Sequence, residues 1–290
     1  MACAQAMHLG RRLPLGRLAA AAYGGLQDTA PRAGLLSLHA RVQDVTPDAW
    51  EDKALAQVWG PRLAAYIVPA DAVATFTLGR LPRQGAERTA ILSLARRLLA
   101  ALGGTARRSN DVFREFSDLP NPVMVRAASA SGRFVIRWDA RATLIVPIEP
   151  VKVGEEEARL GLARRYDAWF GPSDAEGFRR WAGVSASDAA VSWASIDHVD
   201  TREHTPISGV RLLPYGDPFM FDRPPVQPVA REVPGVLLVD GLIAGTWARR
   251  QAKVTLRPNR SMSRTDRDRL EEAALSLAGP LGRPVDLTIA

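Results

Sequence analysis

Residues 91–139 read ILSLARRLLAALGGTARRSNDVFREFSDLPNPVMVRAASASGRFVIRWD, and their pattern decides the fold class. Ile91, Leu94, Ala95, Leu98, Leu99 and Leu102 recur at the three- and four-residue spacing of a helix with one apolar stripe, while Arg96 and Arg97 fall on the other side. Gly103-Gly104 ends that helix, because glycine readily takes the left-handed conformation that closes a helix C-terminus. A polar link with Arg107 and Arg108 leads to a short segment at Val112–Phe116. From Val123 to Asp139 the chain alternates on both sides of Ser129–Gly132, which predicts a β-hairpin carrying Arg126, Arg133 and Arg137. Helices followed by a basic hairpin are the order of a winged helix-turn-helix unit.

The same order is expected upstream. Leu15, Leu18, Ala19, Ala22 and Leu26 keep helical spacing up to Gly24-Gly25, and Pro31 opens a second helix with Leu35, Leu36, Leu38 and Val42. Thr46-Pro47 predicts a third short helix through Trp50 and Leu55. Arg62 to Val68 is strand-like, and Pro69-Ala70-Asp71 restarts a helix. Residues 1–85 therefore read as a first winged-helix unit and 86–155 as a second. Residues 156–209 read as a third helix-turn-helix unit. Its capping boxes pair Ser173 with Glu176 and Ser185 with Asp188, and its core is Leu162, Tyr166, Trp169, Phe170, Phe178 and Trp181. The Glu155–Glu157 run suits a helix start. In 210–290 a proline-rich loop, PPVQPVAREVP (224–234), precedes an Asp240-Gly241 hairpin turn between apolar runs. Thr265 with Asp268 caps a last helix that turns Leu270, Ala273, Ala274 and Leu277 inward. The whole is α+β, with tandem winged helix-turn-helix modules and a C-terminal β-rich domain.

With 47% hydrophobic and 24% charged residues in a 290-residue chain, the composition is globular and excludes collagen-like and wholly disordered classes. The longest apolar stretch, Leu18 to Leu26, falls far short of the roughly 20 residues that span a bilayer, so no membrane segment is expected. The first residues show no secretory pattern, and Cys3 stands alone; no internal disulfide or Cys-rich zinc site can form, and a cytoplasmic location is expected. The formal charge is +7, almost all of it from arginine, since only Lys53, Lys152 and Lys253 are lysines. By segment the net charge is +3 (1–90), +4 (91–155), −3 (156–209) and +3 (210–290), so a polyanion such as nucleic acid would avoid the third.

Common catalytic signatures are missing: there is no Gly-rich phosphate loop, GxSxG elbow, HExxH or CxxC. His8, His39, His198 and His204 lack metal-ligand spacing; His39 reads as a core histidine, and His198 and His204 as members of a solvated loop. No metal or cofactor is expected. The polar cluster that draws attention is Gln27-Asp28-Thr29, lying between two apolar helices. Asp28 or Thr29 could simply cap the helix that begins near Pro31.

Four stretches then fall in order. GGLQDTAPRAGLLSLHARV (24–42), LARRYDAWFGPSDAEGFRRWAGV (162–184), RLLPYGDPFMFDR (211–223) and VLLVDGLIAGTW (236–247) resemble the conserved stretches of the AlkZ/YcaQ-like DNA glycosylases, a winged-helix, crosslink-repair family. The resemblance implies tandem winged helices around a cationic concave surface and a C-terminal β-barrel-like domain. It also implies a DNA glycosylase that cleaves the N-glycosidic bond of alkylated purines in double-stranded DNA. Lys53 is the nearest lysine in sequence to the Gln27 cluster, so no Schiff-base step is expected, and the hydrolysis reads as monofunctional, metal-free and carried out by a monomer. The family's catalytic signature is Gln-x-Gln or Gln-x-Asp. Gln27 matches its first position, Thr29 stands at the second, and Asp28 lies one position off. Thr29 has neither an amide nor a charge, so the alternative is a DNA-binding relative without catalysis, acting as a lesion sensor or regulator. Arg126, Arg133, Arg137, Arg249, Arg250, Lys253 and Arg257 are the expected phosphate contacts.

Overall fold

The computed structural model describes residues 7–116, 118, 119, 121, 123–199, 208–221 and 234–290. Cys3, His204 and the proline-rich loop up to residue 233 lie outside the described residues. The principal elements in chain order are α1 (Ala33–Arg41), β1 (Leu55–Trp59), β2 (Ala65–Pro69), α2 (Ala86–Leu102), β3 (Arg107–Arg108), β4 (Phe134–Trp138), β5 (Thr143–Pro147), α3 (Glu155–Phe170), α4 (Ala175–Ala182), α5 (Ala186–Ala194), β6 (Val210–Leu213), β7 (Gly235–Val239), β8 (Leu242–Arg250), β9 (Lys253–Pro258), α6 (Arg264–Leu275) and β10 (Asp286–Ile289). Contacts sort the chain into two compact units, one of residues 1–22, 26–52 and 200–290, the other of 23–25 and 53–199. No helix among the described residues is long and apolar enough to cross a membrane.

In the unit of 23–25 and 53–199, α2 forms as its stripe predicts. Ile91, Leu94, Ala95, Leu98 and Leu102 are buried and Gly103 closes the helix in the left-handed region. Leu94, Leu98 and Leu102 share a core with Trp59, Phe134, Ile136 and Ile145 of a sheet in which β2, β1, β4, β5 and β3 lie side by side, all antiparallel. The expected hairpin over 123–139 does not form. Val123–Ala127 is helical and Ala128–Ser131 a 3-10 turn closed by Gly132; alanine, methionine and arginine favour helix, and five residues are too few for alternation to overrule them. The hairpin is β4 with β5. Its turn is made by Asp139, whose Oδ1 accepts from the amides of Arg141 and Ala142, both at 2.9 Å. The helix expected through Trp50 and Leu55 reduces to a 3-10 turn at Ala49–Glu51 in the other unit, since Leu55 starts β1. The strand expected over Arg62 to Val68 begins only at Ala65.

Three helices follow. Leu162, Tyr166, Trp169, Phe178 and Trp181 are buried, with Phe170 stacked on Tyr166. Ser185 caps α5, but α4 is capped by Asp174, which accepts from the Gly177 amide at 2.7 Å; Ser173 bonds Tyr166 instead. Gly24 is tied to this unit because a Cβ there would overlap the Trp169 ring.

In the other unit β10, β9, β8, β7 and β6 form one open sheet, antiparallel except for the parallel β9–β10 pair. Among the described residues the sheet has two edges, so it does not close on itself as a complete barrel would, where the resemblance implies a barrel-like domain. Asp240 and Gly241 have φ of 51° and 79°, the double positive-φ turn that suits a tight hairpin. Leu270, Ala274 and Leu277 cover one face together with Leu36 of α1. The cap of α6 is Ser263, accepting from the Asp266 amide, and not Thr265. The helix expected from Leu15 shrinks to a 3-10 turn and one α-helical turn ending at Ala21.

Candidate functional site

Leu26 and Gln27 are extended, and an extended chain sends successive side chains to opposite sides. Leu26 and Asp28 point inward, at 0% and 1% exposure, whereas Gln27 is half-buried and Thr29 exposed. Inward, Asp28 Oδ1 accepts a 2.8 Å hydrogen bond from the amide of Gly34, one of the donors that the first turn of α1 leaves without a helical partner. Outward, Gln27 Nε2 donates to Thr29 Oγ1 at 2.8 Å, which sets the plane of the amide. The structure therefore brings Gln27 and Thr29 together and gives Asp28 the capping role.

A second segment meets this one within the same unit. Gly216, at φ +81°, lies against Gln27: a Cβ there would be in ordinary van der Waals contact, 3.4 Å from Cδ of the amide. The turn that carries Gly216 is anchored by Asp217. Its carboxylate accepts from Ser37 Oγ (2.7 Å), Arg41 Nη1 (2.7 Å), Arg41 Nη2 (2.8 Å) and the Phe219 amide (3.0 Å). Both charged side chains are fully buried, at 0% exposure. Beside the turn opens a cleft of about 440 Å³, walled by Ala30, Pro31, Pro214, Tyr215 and Trp247 and completed by Arg249, Arg250 and Arg283. Sequence reasoning passed over Tyr215, Gly216, Asp217, Arg41 and Arg283. The available signals were an arginine inside an apolar helix and a Gly-Asp-Pro turn after an apolar strand.

The expected cations are not equivalent. Arg250 and Lys253 are exposed and face each other across the β8–β9 ladder. Arg257 is half-buried opposite Thr246. Arg249 is a strut: Nη2 donates to the Pro31 carbonyl and Nη1 to that of Gln251, both at 3.1 Å, and burial and then the neighbouring Arg283 lower its pKa. In the other unit Arg137 is exposed on β4, and Arg133 lines a groove of about 460 Å³ along α2 with Arg96 and Leu99. Arg126 lies on a helix, is half-buried with its pKa lowered by burial, and donates to the Leu63 carbonyl at 3.4 Å. Much of the arginine excess is consumed internally, as Arg88 with Glu155, Arg97 with Asp118, Arg107 with Glu115 and Arg269 with Asp240.

The described histidines do not converge. His39 is 5% exposed in α1, its Nε2 3.0 Å from Ser276 Oγ, and burial pushes its pKa down to about 3. His198 is not merely solvated: its ring packs at a 43° tilt against Trp193, and its Nδ1 lies 3.4 Å from Asp167 Oδ1. Among the described residues no group of three or more His, Cys, Asp or Glu is placed to hold a metal ion.

A family model described as DNA glycosylase AlkZ-like matches residues 20–279. The solved structure of Streptomyces sahachiroi DNA glycosylase AlkZ has a similar fold, with a TM-score of 0.74 and 13% sequence identity over 99% of this chain and 97% of that one. No curated protein sequence matches.

Proposed function

The chain belongs to the AlkZ-like family of DNA glycosylases, and we propose that it is a monofunctional glycosylase that releases alkylated purines from double-stranded DNA. One observation carries the reading: the amide of Gln27, its plane set by Thr29, stands outward against Gly216, in the turn whose Tyr215 lines an arginine-edged cleft. An N7-alkylated purine is cationic and leaves as a neutral base. The bond from C1′ to the base nitrogen breaks with its electron pair going to the base, and the sugar becomes oxocarbenium-like. A water then bonds to C1′ and loses its proton to solvent. Gln27 supplies an acceptor that orients this water, and Thr29 holds the amide. The base must leave the stack first, which a damaged pair resists least.

Phosphate contacts are assigned to exposed Arg250 and Lys253, with Arg257, and to Arg137 on the β4–β5 hairpin as the wing of a winged-helix module, with Arg133 just before its first strand and Arg126 on the preceding helix. The protein works as a monomer, in the cytoplasm, with water as its only co-reactant. A site without the second amide or carboxylate of the family signature loses a transition-state contact, on the order of 10²–10³ in rate. The engagement of Asp28 with Gly34 also favours a second reading, a lesion sensor that binds without cleaving. Incubation with duplex DNA containing N7-methylguanine separates them. Base release above a heat-inactivated control supports the glycosylase; intact lesion binding with no release supports the sensor and ends the enzymatic reading.

A further inference from the structure

We propose that the cleft beside Gln27 is the seat of the extruded purine nucleotide and that Tyr215 is the platform on which its base stacks. This deepens the base-release reading and rests on it. Tyr215 keeps 53% of its surface exposed, unusual for so large a ring in a turn that is otherwise held tightly. The turn cannot drift, because Asp217 is locked to Arg41 and Ser37 two residues further on. Gly216, the next residue, lies against Gln27, so one anchored turn carries the exposed ring and touches the water-orienting group.

The cleft has the composition a nucleotide needs. Its walls include Pro31, Pro214 and the largely buried Trp247, and its volume of about 440 Å³ falls within the roughly 300–1,000 Å³ of small-ligand sites. Arg250 and Arg283 are exposed at its margin, and among the described residues neither pairs with a carboxylate; they complement the phosphates on either side of the extruded sugar. No acidic side chain lines the cleft. A cationic ring is therefore held by stacking on Tyr215 and not by charge pairing.

The test uses the full chain and two duplexes, identical except that a 2-aminopurine is correctly paired in one and mismatched in the other. Binding is measured by anisotropy and extrusion by 2-aminopurine emission. Wild-type protein should prefer the mismatched duplex, and the extruded base should stay dim because it stacks on the tyrosyl ring. Tyr215→Ala should lose roughly 5- to 150-fold in affinity for the mismatched duplex only, with brighter emission at saturation. Tyr215→Phe should behave as wild type. Equal affinity of wild type and Tyr215→Ala for the mismatched duplex, or equal losses on both duplexes, would overturn the assignment. Because neither readout needs bond cleavage, a protein that releases no base can still pass this test, and one that releases base can fail it.

Discussion

Replacing Asp217 with alanine should be among the most damaging single changes in this protein. Arg41 and Asp217 are 176 positions apart in sequence, both at 0% side-chain exposure, and the carboxylate collects four donors. Removing it strands a guanidinium, a hydroxyl and an amide in the interior. Breaking a buried ion pair by removing one partner costs about 3–5 kcal/mol, which corresponds to roughly 10 °C in Tm for a chain of this size. Asp217→Asn keeps the shape and an acceptor and should lose less. The double variant Arg41→Met/Asp217→Leu removes both charges and should recover most of the stability. Recovery of activity should not follow, because the 214–217 turn would no longer be hydrogen-bonded to α1 and Gly216 would drift from Gln27. The assay is thermal unfolding followed by circular dichroism, with base release from N7-methylguanine DNA measured in parallel. A Tm for Asp217→Ala within 2 °C of wild type, taking about 1 kcal/mol as the resolvable loss, would refute the buried-pair argument. Full activity in the refolded double variant would refute the positioning argument.

Gln27→Ala should abolish base release while leaving duplex affinity nearly unchanged; a parallel loss of both in gel-shift and release assays would show that Gln27 holds DNA and does not orient water. His39 gives a pH signature. Burial lowers its pKa from 6.5 to about 3, so the unfolded chain binds a proton that the folded chain does not. That contribution is complete above about pH 6.5 and is lost as pH falls toward 3, at up to about 1.4 kcal/mol per pH unit. Urea unfolding of His39→Gln between pH 7 and 4 should show a shallower pH slope than wild type, and equal slopes would contradict the assignment. Arg250→Ala and Lys253→Ala should each lower DNA affinity without changing lesion preference and flatten the slope of log affinity against log salt by about 0.9, which a salt titration reads directly.

Local pattern made some of this architecture legible. The stripe of α2 was readable because six apolar residues recur over more than three turns, and the Asp240-Gly241 turn because both residues tolerate positive φ. The hairpin was misplaced by one strand. VMVRA alternates as well as it repeats, and the true turn at 139–142 contains no glycine to mark it; Ala140 takes the φ of 70° there. The parallel strand β10 gave no signal, since four mostly exposed residues at a sheet edge carry no burial pattern. Asp217 and Arg41 were illegible for a different reason. Arg41 stands out in an apolar helix and Asp217 in a Gly-Asp-Pro turn, but 176 positions separate them and only the fold brings them together.

The candidate site was legible to the extent that its geometry is local. In an extended segment residues 27 and 29 share one side and residue 28 the other, so the acidic neighbour could not replace the missing carboxylate without slipping the register by one residue. The structure gives that slip a cost. It would bring Leu26, now at 0% exposure, to the surface, at about 1.5–3 kcal/mol for its side chain. It would also orphan the Gly34 amide, at about 1–3 kcal/mol. Together these come to roughly 2.5–6 kcal/mol, which leaves the slipped form at no more than about 2% of molecules. Asp28 is therefore held in the helix cap by the same alternation that exposes Gln27. Any bond cleavage at this site must proceed with a neutral amide and a hydroxyl, which suits a substrate whose leaving group is already positively charged.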